Sequence, residues 1–144
     1  MKIIKKRASL TEEESITIVA RDDNEKVKRI LEILERDQDL ILSQDHKTVK
    51  LPPEDVYYIE SIDFKTYVYS KKEIYRSRLR LYEMEKVLPQ TNFLRINRQT
   101  ILNLRKISSV ASAGGGRIEV HLKSGDKLIV SRQYAPLLKE RFGL

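Results

Sequence analysis

Residues Phe93 to Asn103, FLRINRQTILN, carry side chains suited to recognition on a frame suited to holding them still. Apolar residues fit for a buried strand run up to the polar trio Asn97, Arg98 and Gln99, and Ile101, Leu102 and Leu104 resume the apolar pattern. Donors and acceptors of this trio match base edges, Arg with guanine and Asn or Gln with adenine. A polar turn between two strands looks the same, so the stretch alone leaves both readings open. Two further stretches repeat the layout. Ser61 to Thr66 offers Asp63, Lys65 and Thr66 behind the strand formers of Val56 to Glu60, and Ser131, Arg132, Gln133 and Tyr134 follow an apolar run ending at Val130. Lys71, Lys72, Arg76, Arg95 and Arg105 lie among them. Together with Gln99, Ser131, Gln133 and Tyr134 they are candidates for DNA backbone contacts, which fix register but carry no sequence information. On that footing Lys71→Ala should weaken specific and non-specific binding about equally.

Missing chemistry narrows the choice. The chain has no cysteine, which excludes disulfides and thiolate metal sites and permits a reducing compartment. His46 and His121 fall in a turn and a strand with no motif around either, and the carboxylates lie scattered or beside Lys and Arg. No enzyme, metal or cofactor is expected from such a set. Gly114, Gly115 and Gly116 precede a strand where a phosphate-binding loop needs a helix N-terminus, so they read as a flexible hairpin tip. No apolar run approaches the roughly 20 residues of a membrane helix, and MKIIKKRASL is too short in apolar residues for a signal peptide. The expected location is the cytoplasm, without membrane insertion. The net charge of +7 is uneven. Residues 1 to 40 hold nine basic and ten acidic side chains, residues 41 to 144 nineteen and eleven. A positive field over the last two-thirds draws nucleic acid.

A chain of 144 residues can bury one main core and a small appendage. Lys2 to Ala8 and Ser15 to Ala20 predict two short β-segments. Val27, Ile30, Leu31 and Leu34 then follow helical spacing, with Asp22, Asp23 or Asn24 as the N-cap. Residues 1–38 are therefore expected to form a β-β-α segment, available for dimerisation or a regulatory partner, and residues 39–144 the basic domain. In the latter, strands are predicted at Leu40 to Leu42, Thr48 to Leu51, Val56 to Glu60, Tyr67 to Tyr69, Ile107 to Ala111, Arg117 to Leu122 and Lys127 to Val130. A helix capped by Ser77 and stopped by Pro89, and a closing helix from Tyr134 to Phe142, complete it. The predicted class is mainly β with short helices (α+β). No helix-turn-helix pair, zinc finger or RNP motif occurs in the basic region.

From about Leu42 to Leu138 the chain resembles the LytTR DNA-binding family of bacterial transcription regulators. The matching features, in order, are EDVYYIES at 54–61, the helix with Leu81 to Leu88, FLRINRQTILNLRKI at 93–107, a glycine-containing hairpin, and LIVSRQY at 128–134. The resemblance implies an elongated set of small antiparallel β-sheets whose loops, not a recognition helix, enter double-stranded DNA in a sequence-specific regulator. It puts Lys65 or Thr66 in one major groove, Arg132 in another, and Asn97 and Arg98 at the minor groove between. Paired repeat sites, and a homodimer at least on DNA, follow from the same likeness. The family often has histidine where this chain has Asn97. Roughly 40 residues before the basic domain cannot build a doubly wound receiver fold, so a stand-alone regulator is expected. An interaction module that sequesters a partner regulator would use the same scaffold and tolerate loss of Asn97, Arg98 and Arg132. A non-specific single-strand binder would need stacking aromatics, whereas most of the seven tyrosines alternate with apolar residues or sit on a helix face, as packing groups do.

Overall fold

Alternation of apolar residues through the long middle of the chain builds two cores on opposite faces of one sheet. The computed structural model describes residues 2–7, 9–11, 15–21, 23–35 and 38–143. It divides into two compact units, Met1–Arg36 and Asp37–Leu144.

In the first unit the regular element is helix α1 (Glu25–Glu35). Its cap is Asn24, whose Oδ1 accepts from the Val27 N–H at 3.2 Å. Ile30, Leu31 and Leu34 remain exposed. The two predicted β-segments are not strands: the described residues of 2–7 and 15–20 pair with nothing in a ladder. Ile3, Ile4, Ile16 and Val19 stay exposed, and a lone pair of strands without a buried face is marginal in water. Ala8 and Asp22, which the sequence reading used, lie outside the described residues.

The second unit contains β1 (Leu40–Gln44), β2 (Lys47–Leu51), β3 (Tyr58–Ile62), β4 (Lys65–Tyr69), β5 (Ile74–Ser77), α2 (Leu81–Val87), β6 (Phe93–Asn97), β7 (Thr100–Asn103), β8 (Ile107–Gly114), β9 (Arg117–Leu122), β10 (Lys127–Val130) and α3 (Ala135–Phe142). A seven-stranded sheet has the order β2-β1-β5-β4-β3-β7-β6 and a three-stranded sheet the order β10-β9-β8. Every pairing is antiparallel. The predicted class, mainly antiparallel β with short helices, is the one observed.

Period-two alternation sends neighbouring residues to different cores. Ile59 and Ile101 join Leu81 and Met84 of α2 on one face. Tyr58, Leu94 and Leu102 join Val120 and Val130 of the small sheet and Leu138 of α3 on the other. Tyr58 and Tyr69 stack across the β3–β4 pair at 4.2 Å between ring centroids. Burial raises the pKa of both phenols, with the Asp126 carboxylate adding to it at Tyr58 and Glu60 at Tyr69, so both rings are neutral packing groups. At the end of β7, Asn103 is 1% exposed. Its Nδ2 donates to the Val56 carbonyl at 2.7 Å and its Oδ1 accepts from the Arg105 N–H at 3.1 Å, which satisfies a buried amide and ties β7 to the entry of β3. The predicted cap of α2 shifts. Ser77 ends β5 and accepts from the Leu79 N–H, while the Glu83 carboxylate reaches back to the Arg80 N–H at 3.1 Å.

Candidate nucleic-acid interface

Strand register decides which connections share an end of the sheet. Ile62 stands opposite Lys65, Thr66 opposite Ser77, and Thr100 opposite both Glu60 and Asn97. The turn after β3, the turn after β6 and the exit of β5 therefore lie at one end. The Ser61 N–H donates to the Gln99 carbonyl at 2.8 Å, and the Ser131 N–H to the Ile96 carbonyl at 2.8 Å, which brings the β10–α3 connection alongside. Asn97, Arg98, Gln99, Ser131, Arg132, Gln133 and Tyr134 line one open cleft of about 570 Å³. Two stretches read separately from the sequence form one surface.

The turn at Arg98 and Gln99 is braced from both sides. Asn97 Oδ1 accepts from the Gln99 N–H at 2.9 Å and its Nδ2 donates to the Ile129 carbonyl at 3.2 Å, so this side chain shapes its own turn and ties it to β10. One amide hydrogen and further acceptor capacity remain. Arg95 donates through Nη1 to the Arg98 carbonyl at 2.8 Å and through Nε to Glu85 of α2 at 3.0 Å, with Nη2 2.6 Å from the same carboxylate. Both contacts fall on the one oxygen Oε1, a charge-assisted pair that fixes the guanidinium beside α2. Arg95, expected at a phosphate, braces the turn against α2.

Arg132 has its own support. Gly115 and Gly116 both have positive φ, as a two-residue hairpin turn demands. The Arg117 guanidinium donates to the carbonyls of Ala113 and Gly114 at 3.2 and 3.3 Å. A Cβ on Gly116 would lie 2.7 Å from Arg132 Cγ, so the hairpin tip abuts the stem of the arginine. Gly116→Ala should cost about 1–2 kcal/mol of stability from the left-handed backbone and also displace Arg132. Gly115→Ala, with open space around it, should show the strain alone. Urea denaturation and DNA titration of both variants separate the two effects: DNA affinity should fall for Gly116→Ala only.

The remaining predicted residues divide. Lys65 begins β4 and is exposed, but Thr66 is 3% exposed and faces inward, so it is not available to a base edge as placed. The connection there is only Asp63 and Phe64, with φ of 50 and 64, and the strands run further than the sequence suggested. Lys71 and Lys72 join β4 to β5 beyond the Tyr69–Ile74 pair, at the opposite end of the sheet. Arg105 follows β7 at that far end too. Arg76 lies within β5, its guanidinium 5.6 Å from the Tyr67 ring centroid. Sequence reading missed Phe64, 88% exposed, and Arg78 and Arg80, exposed between β5 and α2 at the near end. Counting hairpin ends along the meander would have found them. Among the described residues the ion pairs of Lys and Arg are Lys28–Glu25 and Arg95–Glu85, and His121 Nε2 lies 3.0 Å from the Glu119 carboxylate. Lys65, Arg78, Arg98 and Arg132 thus face solvent as positive charges outside any of these pairs.

Residues 46–143 match the family model for the LytTr DNA-binding domain. The chain belongs to the LytTR family. Among its LytTR relatives, the sensory transduction protein LytT of Bacillus cereus is 33% identical over 101 residues, covering 70% of this chain and 41% of LytT. LytT of Enterococcus faecalis is 32% identical over 92 residues, 64% of this chain and 38% of that protein. The chain thus spans about two fifths of the length of these relatives. An uncharacterized HTH-type transcriptional regulator of Staphylococcus aureus is 30% identical over 111 residues, 72% of this chain and 75% of that one. The solved LytTr DNA-binding domain of a Bacillus cereus response regulator superposes with a TM-score of 0.71 at 25% identity, covering 74% of this chain and 98% of that one. In the second unit here, α2 and α3 are separated by five strands, so its described residues hold no helix-turn-helix.

Proposed function

We propose that this LytTR chain is a sequence-specific regulator of transcription that reads duplex DNA with the near-end connections of its sheets. The observation that carries this reading is the joint cleft of Asn97 to Gln99 and Ser131 to Tyr134, with the exposed guanidiniums of Arg98 and Arg132 among its lining groups. An arginine fork matches guanine N7 and O6, while Gln99, Ser131, Gln133 and Tyr134 supply donors for phosphate oxygens. Lys65 and Arg132 would occupy successive major grooves, with Arg98 and the spare amide hydrogen of Asn97 at the minor groove between them. Binding would be to paired repeats, as a homodimer on DNA. The exposed Ile30, Leu31 and Leu34 of α1 support self-association. No described helix is long and apolar enough to cross a membrane, and a genome-binding role puts the protein in the cytoplasm.

Selection of bound duplexes from a random pool at two salt concentrations tests this. A repeated motif that survives the higher salt is the expected result, and its half-site spacing reports how two protomers sit on DNA. Binding without a motif that collapses with salt would refute base reading and favour a module that sequesters a partner regulator, a role for which Arg98 and Arg132 are dispensable. Lys71→Ala and Lys72→Ala, at the far end, should leave affinity within about twofold and the salt slope unchanged. A slope reduced by about one per lysine would place phosphates at that end and move the docking face.

A further inference from the structure

Phe64 occupies a position that suits phenylalanine poorly. It is the second central residue of the β3–β4 turn, with φ 64 and 88% exposure. Two-residue hairpin turns with positive φ favour Asn, Asp or Gly, and a left-handed backbone is a true outlier for a bulky side chain. The ring belongs to neither hydrophobic core, so the fold gains nothing visible from it. Strained, exposed residues of this sort cluster at binding sites. The turn also lies at the same end as the cleft, tied to it through the Ser61–Gln99 hydrogen bond.

Resting on the DNA-binding reading, we propose that Phe64 is a specificity-determining contact that packs on the C5-methyl group of thymine in the major groove. A two-stranded β-ribbon fits that groove, and a ring without donor or acceptor can recognise only its apolar feature, the thymine methyl. The neighbouring Asp63 carboxylate repels phosphates, which turns the tip away from the backbone and toward base edges. Exposed Lys65, next along β4, brings a positive charge into the same groove beside the ring.

The test uses the full chain and a duplex taken from the random-pool selection, with each thymine replaced in turn by uracil, which removes only the methyl. At one or two positions uracil should weaken wild-type binding about fourfold per methyl. Phe64→Ala should show a similar loss on the thymine duplex and no further loss on the uracil duplex. Phe64→Gly should also weaken binding while raising the urea midpoint, because it relieves the turn, and that opposite sign separates a lost contact from a damaged fold. If wild type selects a motif but Phe64→Ala binds the thymine duplex normally, or loses equally on both duplexes, the methyl contact is wrong while the DNA reading stands. If wild type selects no motif, both fall together.

Discussion

Replacing Arg132 by alanine lowers affinity for the selected duplex roughly five- to a hundredfold and leaves binding to unrelated DNA nearly unchanged. A good bidentate base contact discriminates by about 1–3 kcal/mol, and each 1.4 kcal/mol is tenfold. Arg132 fits that role because it is exposed in the cleft, lies outside the ion pairs of the described residues, and has its stem lodged against Gly116. Non-specific affinity comes from the summed phosphate field, of which one cation is a small part. Arg132→Lys sharpens the test. Lysine keeps the charge but loses the planar fork, so a base-reading arginine is not rescued by it, whereas a phosphate-contacting one is. Titration of labelled selected and scrambled duplexes at fixed salt decides the matter. Equal losses on both, restored by lysine, would demote Arg132 to a backbone contact.

Much of the scaffold was legible because two-sided strands leave a plain pattern. Tyr58–Ile59 and Ile101–Leu102 are apolar at adjacent positions, which a strand tolerates only when both faces are covered. The polar trio after Ile96 and the SRQY segment after Val130 were readable as connections, but their meeting in one cleft depends on β10 leaving beside β6, a tertiary contact without local signal. The bracing part of Arg95 was hidden for a related reason. An arginine flanked by apolar residues in a strand reads as outward-facing charge, and only the arrival of Glu85 from α2 turns it into a brace. Thr66 was misplaced by a turn that breaks the usual rule. Asp63–Phe64 lacks the glycine that marks a two-residue hairpin, so the connection looked longer and β4 shorter. Lys71 and Lys72 could have been placed correctly. Successive connections of an antiparallel meander fall at alternate ends, and theirs directly follows the Asp63–Phe64 turn. The N-terminal β-segments failed because strand propensity in Ile3, Ile4 and Val19 secures nothing without a face to bury.

Leu102→Ala should destabilise the second unit as a whole, by about 2–5 kcal/mol, a large share of the roughly 5–15 kcal/mol available to a domain. Leu102 is fully buried in the core shared with the small sheet and α3, and the adjacent Ile101, 1% exposed, belongs to the core under α2. β7 is paired on both sides, with β3 and with β6. A cavity beside Leu102 therefore loosens a strand on which the opposite core also depends, and damage cannot stay on one face. With no tryptophan in the chain, the near-UV signal is dominated by tyrosines. Tyr57, Tyr58, Tyr69 and Tyr134 pack in one core and Tyr75 against the other, so it weights the first of these, while far-UV dichroism reports on the whole. Their urea transitions should coincide in wild type and variant, with a lowered midpoint and an unchanged slope. Separate midpoints would mean that the two cores unfold independently and that β7 does not couple them. Below the midpoint the folded fraction should bind the selected duplex as wild type does, because the hydrogen bonds that set Arg98 and the cleft run through Asn97, Arg95 and Ser131 and do not involve the Leu102 side chain. Arg132→Ala has the reverse signature, weaker binding at an unmoved midpoint, so the two variants separate what holds the LytTR domain together from what it uses to read DNA.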